Sequence, residues 1–119
     1  MIDVKCLNSW DLEEYSQVHL PGVALDLEIT EKDMQDIKEI AIENQVDYIC
    51  ISGVRKPDEV INVREKLDSF DGHHIKIISK IESAEGLENF ESILQESDGI
   101  NIVRKTLGLE ILPEKVFVA

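Results

Sequence analysis

The sequence predicts an α/β protein, a layer of about three parallel strands with intervening helices. Three observations lead there. Short apolar runs of strand length start near Tyr48, Ile75 and Gly99, spaced by about 25 residues. Segments with apolar residues at helical spacing lie between and before them. The runs are apolar throughout, as in strands buried by crossover helices, and such long connections suit right-handed parallel pairing.

Met1 to Glu28 is read as irregular, because Trp10, Leu12 and Tyr15 keep no sustained period. Thr30 is placed as an N-cap with Asp33 three residues on, opening a helix to about Asn44 whose stripe is Met34, Ile37, Ile40 and Ala41. Tyr48 to Ser52 is the first strand. Pro57 opens a second helix, with a stripe of Val60, Ile61, Arg64 and Leu67, and Asp71-Gly72 closes it. Ile75 to Ser79 is the second strand, and Ser83 caps a helix carrying Leu87, Phe90, Ile93 and Leu94. Gly99 to Val103 is the third strand, and Pro113 begins a last short helix.

At 119 residues the chain offers one domain with a modest core. It is 43% apolar and 31% charged, lacks an apolar run approaching membrane length, and starts without a leader-like segment, so the expected compartment is the cytosol. A net charge of −13 with no basic stripe argues against nucleic acid or an anionic membrane as partner. The carboxylates fall mainly on helical segments, where a solvated face accounts for them. Cys6 and Cys50 form no disulfide framework or metal spacing, and Cys50, within a strand, reads as a small core residue. His73-His74 reads as a solvated loop pair, and His19 has no visible partner.

Parallel sheets carry their chemistry at the carboxyl ends of the strands. Charge follows each strand here: Arg55-Lys56, then Lys80 and Glu82, then Arg104-Lys105. Strand alternation aims Lys80 and Glu82 to one side and Ile77, Ser79 and Ile81 to the other. Such a rim suits an anionic, metal-assisted substrate; for Arg55, Lys56 and Arg104, cations that only solubilise the edge are an equal reading.

Ile75-Lys-Ile-Ile-Ser-Lys-Ile-Glu82, followed by Glu85-Gly86, Asn89-Phe90, Ile93-Leu94 and Ser97-Asp98-Gly99-Ile100, resembles the middle of the pyruvate kinase barrel. The resemblance continues upstream through Leu20-Pro21-Gly22, Thr30-Glu31-Lys32-Asp33, Val46-Asp47 and Val54-Arg55-Lys56. Downstream it takes in Leu107-Gly108, Glu110-Ile111 and Pro113-Glu114-Lys115-Val116-Phe117. It covers roughly residues 20–119, leaving 1–19 as an irregular extension. The resemblance implies a partial (β/α)8 TIM-barrel segment, which periodicity alone could not tell from a small open sheet.

It also implies phosphoryl transfer from phosphoenolpyruvate to ADP with Mg²⁺ or Mn²⁺ and K⁺. Lys80 then matches the catalytic lysine that steadies the moving phosphoryl group, and Glu82 matches a metal-binding glutamate. Where the family reads Ala-Arg-Gly-Asp-Leu-Gly, this chain reads Val103-Arg104-Lys105-Thr106-Leu107-Gly108. Lys105 replaces the glycine whose backbone approaches the substrate carboxylate, and Thr106 replaces the second metal-binding aspartate. A neutral hydroxyl is a weaker partner for Mg²⁺ than a carboxylate. Asn101 also puts an amide in an apolar strand, unfavourable unless hydrogen-bonded.

Nothing in the sequence matches the family's phosphate-binding arginine, its K⁺ ligands, its lid or its carboxyl-terminal domain. The expectation is therefore a pyruvate kinase-like chain that is inactive in isolation. The alternative is a non-catalytic interaction module, or a decayed duplicate, that docks with full-length pyruvate kinase subunits.

Overall fold

The computed structural model describes residues 3, 5–16, 18–23 and 29–118. The part of the irregular Met1 to Glu28 segment that falls on 1, 2, 4, 17 and 24–28 lies outside the described residues, as does Ala119. Within 3–23 the described residues form turns and no helix or strand.

Three strands, β1 (Tyr48–Ile51), β2 (Lys76–Ile81) and β3 (Gly99–Ile102), pair in parallel in the order β1-β2-β3. The fold class is thus the expected α/β layer, consistent with a barrel segment. Before β1 runs α1 (Glu31–Asp36), continuing as a π-helical turn over Ile37–Ile42. Helix α2 (Pro57–Ser69) joins β1 to β2, while α3 (Ala84–Glu88) and α4 (Phe90–Glu96) join β2 to β3. After β3 comes α5 (Arg104–Glu110), then a single 3₁₀ turn at Pro113–Lys115.

The caps are those the sequence signals. Thr30 Oγ1 accepts from the Asp33 N–H at 3.1 Å, and Asp33 Oδ2 accepts from the Thr30 N–H at 2.8 Å, a reciprocal capping box. Ser83 Oγ accepts from the Gly86 N–H at 3.1 Å, and Pro57 occupies the first turn of α2, where its missing N–H is harmless. Helix α2 ends with the Gly72 N–H donating to Leu67 O at 2.8 Å and that of Asp71 to Asp68 O at 3.2 Å. This is a Schellman arrangement, with Asp71 in the left-handed region at φ 61° where glycine is usual.

Several elements depart from expectation, each for a packing reason. The helix capped by Ser83 is broken at Asn89, whose side chain donates to Arg55 O at 2.8 Å. On α2 the buried face is Val60, Val63 and Leu67, so Ile61 lies 36% exposed and Val63 replaces it in the core. After β3 the cation-rich segment is helical, and Pro113 opens the short helical turn expected of it.

Strand β2 is central and decides the layering. Ile77, Ser79 and Ile81 are fully buried beneath α2 and α4 with Val60, Leu67 and Ile93. The other face carries Tyr48, Cys50, Lys76 and Asn101, all exposed, and no described element packs over it. Cys50 is therefore a surface thiol and not a core residue, because the alternation of β1 aims it at the open side. Asn101 sits on the same side, so its amide meets water and the expected desolvation penalty does not arise.

At the amino end of the sheet Asp98 ties three segments together. Its Oδ2 accepts from the Ile77 N–H at 2.8 Å and from Arg64 Nη2 at 2.7 Å, while Arg64 Nη1 donates to Ile75 O at 2.8 Å. Buried Ser79 is satisfied by Ser97 Oγ at 2.7 Å.

Two outcomes follow for stability. Asp98→Ala should destabilise by about 1–2 kcal/mol, since it orphans the Ile77 N–H and an ion pair that water partly screens; Asp98→Asn, keeping an oxygen, should lose less in chemical denaturation. The Thr30 hydrogen bonds hold the Asp33 carboxyl below its ordinary value of 3.8. A carboxyl lowered in the folded state contributes stability above its unfolded value, and this contribution is lost as pH falls below about 3.8 through the folded value. Amide exchange at the start of α1 should accelerate across that interval in the natural chain, and Asp33→Asn should remove the dependence.

Candidate functional site

The carboxyl end of β2 is held from both sides by backbone. The Val54 N–H donates to Lys80 O at 3.2 Å, and the Val103 N–H donates to Ile81 O at 3.0 Å. The loops that follow β1 and β3 are thereby drawn against the residues that follow β2. Gly53, at φ +66°, turns the first loop immediately after Ser52. That loop is fastened further by Glu59 Oε2, which accepts from the Arg55 N–H at 3.0 Å, and by Asn89 on Arg55 O. A Cβ on Gly86 would lie 2.6 Å from Val54 O, so the helix after β2 can approach this loop only without a side chain there.

On this scaffold Lys80 reaches across the open face at the rim. Its Nζ lies 3.0 Å from Glu82 Oε1 and donates to Ser52 Oγ at 2.9 Å. The Lys80 side chain is 27% exposed and that of Glu82 18%. The pair foreseen from strand alternation is thus assembled. Ser52 is the partner sequence reasoning missed, although the register offered a signal: Ile51 pairs with Ser79, so one residue further sets Ser52 beside Lys80.

The other rim residues are placed less pointedly. Lys56 precedes α2, exposed, with Nζ 3.9 Å from Glu85 Oε1. Arg104 and Lys105 are exposed in the first turn of α5, a turn with no acidic residue, where cations oppose the helix dipole. Thr106 is half-buried in the same turn. Val103 caps α5 without a side-chain hydrogen bond. His73 Nδ1 lies 3.0 Å from Asp68 Oδ1 on an exposed turn, away from the rim. A trough of about 970 Å³ runs along the outer edge of β1, lined by Ile37, Val46, Ile49 and Val63 together with charged residues such as Asp33, Asp36 and Glu59, and not by Lys80 or Glu82.

Chemically, the rim presents an ammonium fixed between a hydroxyl and a carboxylate, facing an open surface. It can meet one oxygen of an anion. A divalent metal finds a poor donor set: Glu82 Oε1 faces an ammonium, the α5 turn contributes a neutral threonine, and no group of three His, Cys, Asp or Glu side chains is gathered among the described residues.

A parallel α/β layer with a lysine and a glutamate at its carboxyl rim is consistent with a segment of an α/β barrel. The family model described as pyruvate kinase, barrel domain, matches residues 1–119, and the chain belongs to the pyruvate kinase family. It is 45% identical over 117 residues to a pyruvate kinase of Staphylococcus haemolyticus, covering 96% of this chain and 20% of that protein. It is 48% identical over 113 residues to a pyruvate kinase of Dictyostelium discoideum, covering 94% and 22%. To a cytosolic isozyme of Solanum tuberosum it is 43% identical over 116 residues, covering 97% and 22%. The chain spans about a fifth of the length of these relatives. Among the described residues no helix is long and apolar enough to cross a membrane.

With Glu82 Oε1 already facing the Lys80 ammonium, Mg²⁺ or Mn²⁺ should bind no tighter than about millimolar in titration calorimetry, and Glu82→Gln should abolish the residual heat. Micromolar binding that survives Glu82→Gln would contradict this account of the donor set.

Proposed function

We propose that this chain carries the Lys80–Glu82 element of a pyruvate kinase-type site, built for phosphoryl transfer from phosphoenolpyruvate to ADP, and that Lys105 and Thr106 leave it without turnover. The observation that carries the proposal is the Lys80 ammonium, held at the carboxyl rim 3.0 Å from Glu82 and 2.9 Å from Ser52. Phosphoryl transfer depends mainly on positioning and on fixed positive charge beside the equatorial oxygens, and Lys80 supplies one such charge.

Lys105 stands where close approach by backbone would hold the substrate carboxylate, and its side chain obstructs that approach. Thr106 removes the second carboxylate that would share Mg²⁺ with Glu82; K⁺ would have to be held by groups outside the matched positions. We place the protein in the cytosol. Orientation supplies roughly 7–11 kcal/mol of barrier reduction in well-placed reactions, so Lys80 without the backbone approach and the carboxylate that Lys105 and Thr106 replace is too little.

A second reading is favoured by the open sheet face and the trough along β1, whose lining includes Ile37, Val46, Ile49 and Val63. Parallel sheets are ordinarily covered on both faces, and free strand edges invite pairing. On this reading the chain is a non-catalytic module that docks with full-length pyruvate kinase subunits.

In a coupled assay, the 119-residue chain should form no ATP from phosphoenolpyruvate and ADP above a Lys80→Met control. A full-length relative carrying this segment should likewise be inactive, and Lys105→Gly with Thr106→Asp should restore it. ATP formation by the unmodified chain that Lys80→Met abolishes would overturn the inactivity. Failure of the doubly reverted hybrid would overturn the roles given to Lys105 and Thr106.

A further inference from the structure

We propose that Ser52 is a positioning residue for Lys80: its hydroxyl and the Glu82 carboxylate pin the ammonium from two sides, leaving the third N–H for a ligand anion on the open face. The inference deepens the phosphoryl-transfer reading and rests on it for its purpose, though not for its geometry.

Lysine ends in a compact charge on a flexible four-carbon stem, so an unpinned ammonium samples a wide arc and presents no fixed point to a substrate. Here the loop after β1 grips Lys80 twice. The Val54 N–H donates to the Lys80 carbonyl at 3.2 Å, and Lys80 Nζ donates to Ser52 Oγ at 2.9 Å. Between these two contacts lies Gly53 at φ +66°, a conformation that lets the hydroxyl and the amide, two residues apart, address the same lysine. Glu82 Oε1 closes the other side at 3.0 Å. An ammonium has three donors, and two are thereby directed. Ser52 is itself exposed and no part of the core, so fold stability is not what its hydroxyl serves.

The test is acylation of lysines in the full chain by a small amine-reactive ester, mapped by mass spectrometry. An ammonium must leave its hydrogen bonds before the amine can attack. Ser52→Ala should therefore raise the labelling rate of Lys80 about fivefold, the factor carried by a hydrogen bond of ordinary net strength. Lys76, exposed on the same face, serves as the internal reference and should not change. Ser52→Thr, which keeps the hydroxyl, should restore the slow rate, with unchanged circular dichroism for both variants. Equal Lys80 labelling in the natural chain and in Ser52→Ala, or a Ser52→Thr variant as fast as Ser52→Ala, would overturn the proposal. Labelling does not require turnover, so these results judge Ser52 alone, whereas the coupled assays of the chain and of the hybrid judge the phosphoryl-transfer reading and the roles given to Lys105 and Thr106.

Discussion

The alternation of β2 is the constraint on which the rest depends. A strand presents successive side chains to opposite faces, and in this one every second residue, Ile77, Ser79 and Ile81, goes beneath the helices. The intervening positions are then committed to the other side, which puts Lys80 on the open face beside Ser52 and Asn101. A shift of one residue would bury the ammonium and expose the isoleucines. The Asp98 carboxylate guards against that shift at the amino end by binding the Ile77 N–H, and the Val54 and Val103 amides guard it at the carboxyl end.

The same arrangement gives structural roles to residues far from the rim. Gly86 is there because Val54 O comes within 2.6 Å of where its Cβ would be, and Asn89 because its amide holds Arg55 O. Both act on the loop that carries Ser52. Ser97 and Asp98 act at the opposite end, one satisfying buried Ser79 and the other anchoring Arg64. The rim thus rests on an intact framework, whereas the α5 turn brings it a lysine and a neutral threonine, Lys105 and Thr106.

An open sheet face sets the character of what remains. Tyr48, Cys50, Lys76 and Asn101 form a mixed surface where a closed barrel would have an interior. The trough beside β1, also mixed in lining, is the edge counterpart of that face. Both are surfaces that a larger assembly of strands would cover, in keeping with relatives about five times as long, of which this chain spans 20% and 22%.

Much was legible in the residues alone. Isoleucine runs marked the strands, Thr30, Ser83, Pro57 and Asp71-Gly72 marked helix ends through local hydrogen bonding, and the period-2 rule aimed Lys80 and Glu82 together. These are local matters, set by φ/ψ preference and by side chains within a few residues. The burial of Val63 in place of Ile61, the break at Asn89 and the exposure of Cys50 were not legible, because each depends on which element lies across from it. Ser52 belongs to that second group. By itself the sequence determined the order of the elements and the side of the strand on which the lysine stands; only the tertiary structure decided that a serine 28 positions away would hold it, since strand register and the turn at Gly53 arise from packing between segments distant in the chain.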